Sequence, residues 1–192
     1  MAKKEKKTEL SAAQILAQME RLSRLGRAAS GSHQLNAAQW EALRYVGRAN
    51  RISNSPMALS QYLGATKGTI SQTVMALVKK GVMSKTSRSG NARSVDLHLT
   101  AQGIQLLNAD PLAHVEKSIA NLGDKTSKRL ARGVAVLLET ERIRQNQPSF
   151  GTCSTCQHFR QLDQVPYCRF VKQHLDKAET RRICVAHVAR PM

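Results

Sequence analysis

The chain has 192 residues, with 30 Lys and Arg against 13 Asp and Glu, for a formal net charge of +17. That length holds one good core and a small appendage, and the charge calls for a polyanion partner, with nucleic acid the commonest. No stretch approaches the ~20 apolar residues of a membrane span, and the charged start Met1-Ala2-Lys3-Lys4-Glu5-Lys6-Lys7 lacks the apolar run of a signal peptide, so a soluble, cytoplasmic protein without membrane contact is expected.

Residues 1–8 read as a basic, disordered arm. From Leu10 to about Arg27, Leu10, Ile15, Leu16, Met19, Leu22 and Leu25 form an apolar stripe at helical spacing. Such a stripe needs cover from the body or from a second subunit. Leu35-Asn36-Ala37-Ala38-Gln39-Trp40 is a strong helix start: Asn36 caps, Gln39 reaches back as in a capping box, and Leu35 packs on Trp40 as a staple. The helix should bury Trp40, Leu43 and Val46 and fray near Asn50. Ser53-Asn54-Ser55-Pro56 is turn chemistry, with Pro56 suited to the first turn of a short helix through Leu63.

Gly64-Ala65 then turns the chain into Thr66–Gly81, a segment with no acidic residue. Thr66 caps it, Gly81 suits the left-handed residue that ends it, and Ile70, Val74, Leu77 and Val78 face a core. The other face carries Gly68, Thr69, Gln72, Ala76 and Lys79, a slim surface that suits the major groove of DNA. Two short helices joined by a Gly-containing turn are a helix-turn-helix signature. The charge excess is greatest around them, nine basic and two acidic side chains over residues 36–103.

After Gly81 the period changes to two. Val82–Thr86 and Val95–Leu99 flank a polar tip carrying Arg88 and Arg93, which reads as a hairpin. Helix-turn-helix followed by hairpin predicts a winged helix. Thr100 caps a helix carrying Ile104, Leu107, Val115, Ile119 and Leu122, interrupted at Asp110-Pro111 by a kink or by a restart with Asp110 as cap. Gly123-Asp124 breaks it, and Leu130, Val134, Leu137 and Leu138 mark a last helix to about Arg144.

Residues 36–103 resemble the DNA-binding core of the MarR (multiple antibiotic resistance) family of bacterial regulators. The resemblance lies in the order of Leu59-Ser60-Gln61-Tyr62-Leu63-Gly64, Thr69-Ile70-Ser71-Gln72, Lys79-Lys80-Gly81 and Leu99-Thr100-Ala101-Gln102-Gly103. The family's wing carries an Asp two residues before its arginine, where this chain has Asn91 before Arg93. With the flanking helices the resemblance spans about residues 9–148. It implies a mainly α fold with a small β-hairpin wing, dimerisation helices over 9–30 and 104–146, and a homodimer on a pseudo-palindromic DNA operator. Lys67, Thr69, Ser71 and Gln72 would then meet the major groove, with Arg88 and Arg93 on the wing and Arg93 in the minor groove.

Gln147-Pro148-Ser149-Phe150-Gly151 reads as a linker into a small, loop-rich module, residues 149–192, spaced Cys153-x2-Cys156-x11-Cys168-x15-Cys184. These are the only four cysteines in the chain, and in a cytoplasmic protein they are metal or cluster ligands rather than disulfides. Zinc ribbons bring two Cys-x2-Cys knuckles; this module has one, and Cys153-Ser154-Thr155-Cys156-Gln157-His158-Phe159 is similar to the opening of high-potential iron–sulfur proteins. A [4Fe–4S] cluster is favoured, with Zn²⁺ as the alternative. Arg160, Arg169, Arg181 and Arg182 are placed to offset its negative charge, and His158 and His187 stand near enough to cysteines to donate hydrogen bonds behind them. Following directly on the last helix, the module is expected beside the dimer interface.

No paired carboxylates, nucleophile–base set or phosphate loop points to catalysis, so no enzyme is expected. Three functions fit the pattern. The first is a dimeric regulator sensing redox, oxygen, nitric oxide or iron status through the cluster. The second is the same regulator with structural zinc and a small-molecule ligand, and the third an iron–sulfur electron-transfer or adaptor subunit.

Overall fold

A computed structural model describes residues 10–28, 35–88 and 91–190. The expected basic arm lies outside them. Helix α1 (Ala12–Ala28) is followed by α2 (Ala37–Arg48), whose start is built as the sequence dictates: Asn36 Oδ1 accepts the Gln39 N–H at 2.9 Å, and Gln39 Oε1 accepts the Asn36 N–H. Trp40, Leu43 and Val46 are buried with Leu35 in the main core. Helix α3 (Pro56–Leu63) opens on Ser55, whose Oγ accepts the Ala58 N–H, and closes on Gly64 with φ +61°. Helix α4 (Lys67–Lys79) opens on Thr66, and Gly81 follows it at φ +72°, a conformation only glycine adopts without strain.

Ile70, Val74 and Leu77 of α4 are buried against α2 and α3, but Val78 is exposed. It lies one step round the helix from Leu77, on the edge of the apolar stripe, and the core ends before it. Strands β1 (Met83–Arg88) and β2 (Asn91–Leu99) pair antiparallel from Met83↔Leu99 upward, with an irregularity between Ser87 and Arg88. Both strands run closer to the tip than the sequence suggested. The wing is fastened to the body where the Leu97 N–H donates to the Asn54 carbonyl at 2.6 Å.

Helix α5 (Ala101–Asn108) starts on Thr100, whose hydroxyl accepts the Gly103 N–H and donates to the Gly81 carbonyl. The chain then restarts as α6 (Ala113–Ala120) rather than kinking. Asp110 is not the cap of α6; it accepts the Leu112 N–H and is otherwise engaged by Arg44. Helix α7 (Asp124–Arg144) completes the helical part.

The C-terminal module is less loop-like than expected. Strands β3 (Phe159–Leu162), β4 (Val165–Cys168) and β5 (Gln173–His174) form a small antiparallel sheet in that order. Asp163 and Gln164, both at positive φ, make the two-residue turn between β3 and β4. Nor is the segment before the module a free linker. Phe150 meets the ring of Tyr62 edge-on at 5.1 Å and packs on the winged-helix core.

Candidate nucleic-acid interface and cysteine centre

The buried arc of α4 leaves the opposite arc open. Lys67, Thr69, Ser71 and Gln72 are all exposed there. Thr69 is held in place, its N–H donating to Thr66 Oγ1 at 3.2 Å and its hydroxyl 2.9 Å from the same oxygen. That cap leaves the first turn of a positively charged helix end facing outward, a natural seat for a phosphate oxygen. Gln72 carries an amide that can donate to and accept from one base edge at once. Met75, 53% exposed, lies among these polar residues, an apolar surface that suits a thymine methyl. The sequence reading assigns Met75 to neither face. Arg88 ends β1 and Arg93 lies in β2, while their side chains lie outside the described part of the structure.

The four cysteines come from three separate segments and lie near enough for their charges to interact. Cys153 opens a short 3-10 turn, Cys156 bridges to Ala189, and Cys168 ends β4 opposite Phe159. Cys184 bridges to Gly151. Cys153, Cys156 and Cys184 are buried and Cys168 half-buried, all as free thiols. Burial pushes the Cys153 thiol up to about 11, and the charges of Cys184, Cys156 and Cys168 push it in the same direction. Burial also raises Cys184, against the pull of the Asn50 side chain and the Ala186 N–H on its sulfur. Thiols so placed bind a metal only by giving up their protons. Among the described residues, no three His, Cys, Asp or Glu side chains are gathered closely enough to hold a single ion.

His187 is buried and used on both sides, Nδ1 2.6 Å from Ser149 Oγ and Nε2 3.0 Å from Thr155 Oγ1. Its ring lies over Gly151 so closely that a Cβ there would stand 2.7 Å from Nε2. His187 thus braces the cysteine turns against the segment that enters the module. His158 packs on Phe170. Of the arginines expected to offset cluster charge, Arg160 donates to the Gln157 and Phe159 carbonyls and Arg182 donates to Ala49 O, while Arg169 and Arg181 are exposed.

The module docks on the winged-helix lobe. Ile183 lies parallel to Ala49, its N–H donating to Arg48 O at 2.8 Å and its carbonyl accepting the Asn50 N–H at 2.9 Å. Together with Arg182 on Ala49 O, these bonds satisfy carbonyls that the end of α2 would otherwise leave open. Arg51 donates from its N–H to Glu179 and from its guanidinium to Gln173. The hydrogen bonds that fasten the module run to residues 48–53 of the winged helix.

Residues 35–95 match the model of the MarR family. Over that stretch the winged helix is similar to that of the MarR family. The fold is similar to MepR of S. aureus in its DNA-binding conformation, at TM-score 0.59 and 14% identity over 68% of this chain and 98% of that one. It is also similar to Streptococcus pneumoniae FabT in complex with DNA, at 0.58 and 20% over 69% and 98%. A third similar structure is a MarR transcriptional regulator from Methanosarcina mazei Go1, at 0.55 and 20% over 66% and 95%. No curated protein sequence matches the chain. The cysteine module lies beyond the segment that matches the family.

Outside the module, the helices expected to dimerise present wide apolar faces. Ile15, Leu16, Met19, Leu22 and Leu25 of α1 and Leu130, Val134, Leu137 and Leu138 of α7 are all exposed in the single chain. No described helix is long and apolar enough to cross a membrane.

Proposed function

We propose that this chain is a dimeric, double-stranded-DNA-binding transcriptional regulator of the MarR type whose operator affinity responds to an iron–sulfur cluster on Cys153, Cys156, Cys168 and Cys184. The observation that carries the DNA-binding half is the exposed arc of α4, with Lys67, Thr69, Ser71 and Gln72 on one acid-free surface. Structures similar to this fold include DNA complexes, which supports the same docking here. The exposed apolar faces of α1 and α7 are what a twofold dimer would bury. That dimer would present two copies of α4 to half-sites about one helical turn, ~10 base pairs, apart.

The sensing half rests on four free cysteines that converge from separate turns and on their attachment to the DNA-binding lobe. A cubane takes four thiolates around a cage, and four cysteines in one small module match that ligand count. Such a cluster supplies a group that oxidants, oxygen or nitric oxide can dismantle. The protein's part is to hold the cysteines, exclude water and tie the module to residues 48–53. Reduced free cysteines fit a cytoplasmic setting.

Purification without oxygen tests the cofactor. Brown protein with visible sulfur-to-iron absorption and matched iron and sulfide supports the reading. Colourless protein with stoichiometric zinc replaces it with a structural metal.

A further inference from the structure

Module, wing and helix-turn-helix meet at residues 50–55. Ser53 is fully buried and Asn50 nearly so. Asn50 Oδ1 accepts the Ile52 N–H at 3.2 Å and the Ser53 hydroxyl at 2.6 Å. Its amide nitrogen is left to face the sulfur of Cys184. Ser53 Oγ in turn accepts the Val185 N–H at 2.8 Å, one residue beyond that cysteine. The Ser53 carbonyl accepts the Tyr45 hydroxyl at 2.8 Å, so the same residue is pinned to α2. One residue further, Asn54 O holds Leu97 of the wing, and Ser55 caps α3.

The Ser53 hydroxyl to Asn50 and the Tyr45 hydroxyl to Ser53 are buried bonds and those from Ile52 and Val185 are half-buried, so breaking either buried bond leaves a polar group without water to replace its partner. A displacement of residues 183–185 either carries the turn with it or breaks a buried pair, and packed joints of that kind have discrete arrangements.

We propose that Asn50 and Ser53 are positioning residues that couple the state of Cys184 to the placement of α3, α4 and the wing. Asn50 reads the cysteine sulfur, Ser53 reads the backbone beside it, and both belong to the turn from which the helix-turn-helix starts. The proposal rests on the cluster-responsive reading above. It adds the route by which that response reaches DNA within one subunit.

The test uses Ser53→Ala and Asn50→Ala in the full chain, each prepared with cluster (ferrous iron and sulfide, without oxygen) and after chelation. The DNA is a duplex selected from a random pool by the wild-type protein. Wild type should show affinities for the two forms differing by about tenfold. Ser53→Ala touches no cysteine, so its visible absorption and apo affinity should match wild type while its ratio falls to within about twofold. Asn50→Ala should lose the ratio as well. Variants that keep the wild-type ratio overturn the joint and leave the sensor reading intact; a wild type with no ratio overturns both. Should a variant fail to fold, hydrogen exchange on wild type decides. Cluster removal should change protection at residues 50–55 and at Leu97, and changes confined to 149–190 overturn the proposal.

Discussion

Arg44 and Asp110 meet in a two-pronged ion pair, Nε and Nη2 each 2.7 Å from a carboxylate oxygen, across 66 positions of sequence. Both side chains are nearly buried, at 13% and 12% exposure. The pair ties the winged-helix core to the junction where α5 gives way to α6, and the Leu112 N–H completes the carboxylate's partners. Arg44 also lies over the Trp40 ring, 5.3 Å from its centroid. A residue that sequence alone marks as a helix cap is here the anchor between two parts of the fold.

Burial raises the Asp110 carboxyl, but the Arg44 hydrogen bonds, the Leu112 N–H and the Arg44 charge outweigh it and hold it below the usual range. Its stabilisation is therefore complete above the ordinary Asp value of about 3.9 and is lost as pH falls through the depressed folded value. Asp110→Asn leaves the guanidinium buried without its counter-charge and should cost about 3 kcal/mol near neutral pH. Denaturant titrations of both proteins should show that gap closing below about pH 4. A gap unchanged down to pH 2 would contradict the assignment.

Gly103 sits where α5 crosses the start of the wing, and a Cβ there would run into the Val82 carbonyl oxygen. Backbone cannot yield as a side-chain tip does. Gly103→Ala should destabilise by roughly 1–3 kcal/mol through overpacking, despite alanine's better helix propensity. Thermal melts check it, and an unchanged or raised midpoint would show that the crossing is looser than the structure has it.

The winged helix was readable because its local signals agree: Asn36 with Gln39, Ser55 before Pro56, and Thr66 with Gly81 each fix an element end by short-range chemistry. Val78 misled because periodicity marks a stripe but not where the neighbouring helix stops covering it. The docking of the module was not legible. Its contacts join Ile183 to Arg48 and Val185 to Ser53 through backbone N–H groups that every residue carries, so no residue type announces them. Phe150 could have hinted at it, being an isolated aromatic in a turn-rich stretch.

The apolar faces of α1 and α7 give a direct test of assembly. Leu22→Glu with Leu137→Glu should yield a monomer in sedimentation, because each places a charge on a face that the proposed dimer would remove from water. Helical circular dichroism should stay near wild type for the winged helix, and DNA affinity should drop sharply. A double variant still dimeric at micromolar concentration would put the interface elsewhere.

Gln72 is the strongest single candidate for reading a base. Its replacement by Ala should lose about 1–3 kcal/mol of discrimination at one position in each half-site, with other positions unchanged. Binding-site selection from a random pool measures this. The same motif at every position would mean that α4 presents a different face.

The central claim is that a cysteine-held cluster and the winged helix share one equilibrium. The measurement is a titration of the selected operator with cluster-loaded protein, chelated protein and Cys168→Ser, all at one salt concentration, because phosphate contacts by a chain of charge +17 make affinity steeply salt-dependent. Cys168→Ser should match the chelated protein, and both should differ from the loaded form by at least about fivefold, the lower end of ordinary coupling between sites. Three equal affinities would contradict the account and leave the cysteine module without a part in DNA binding.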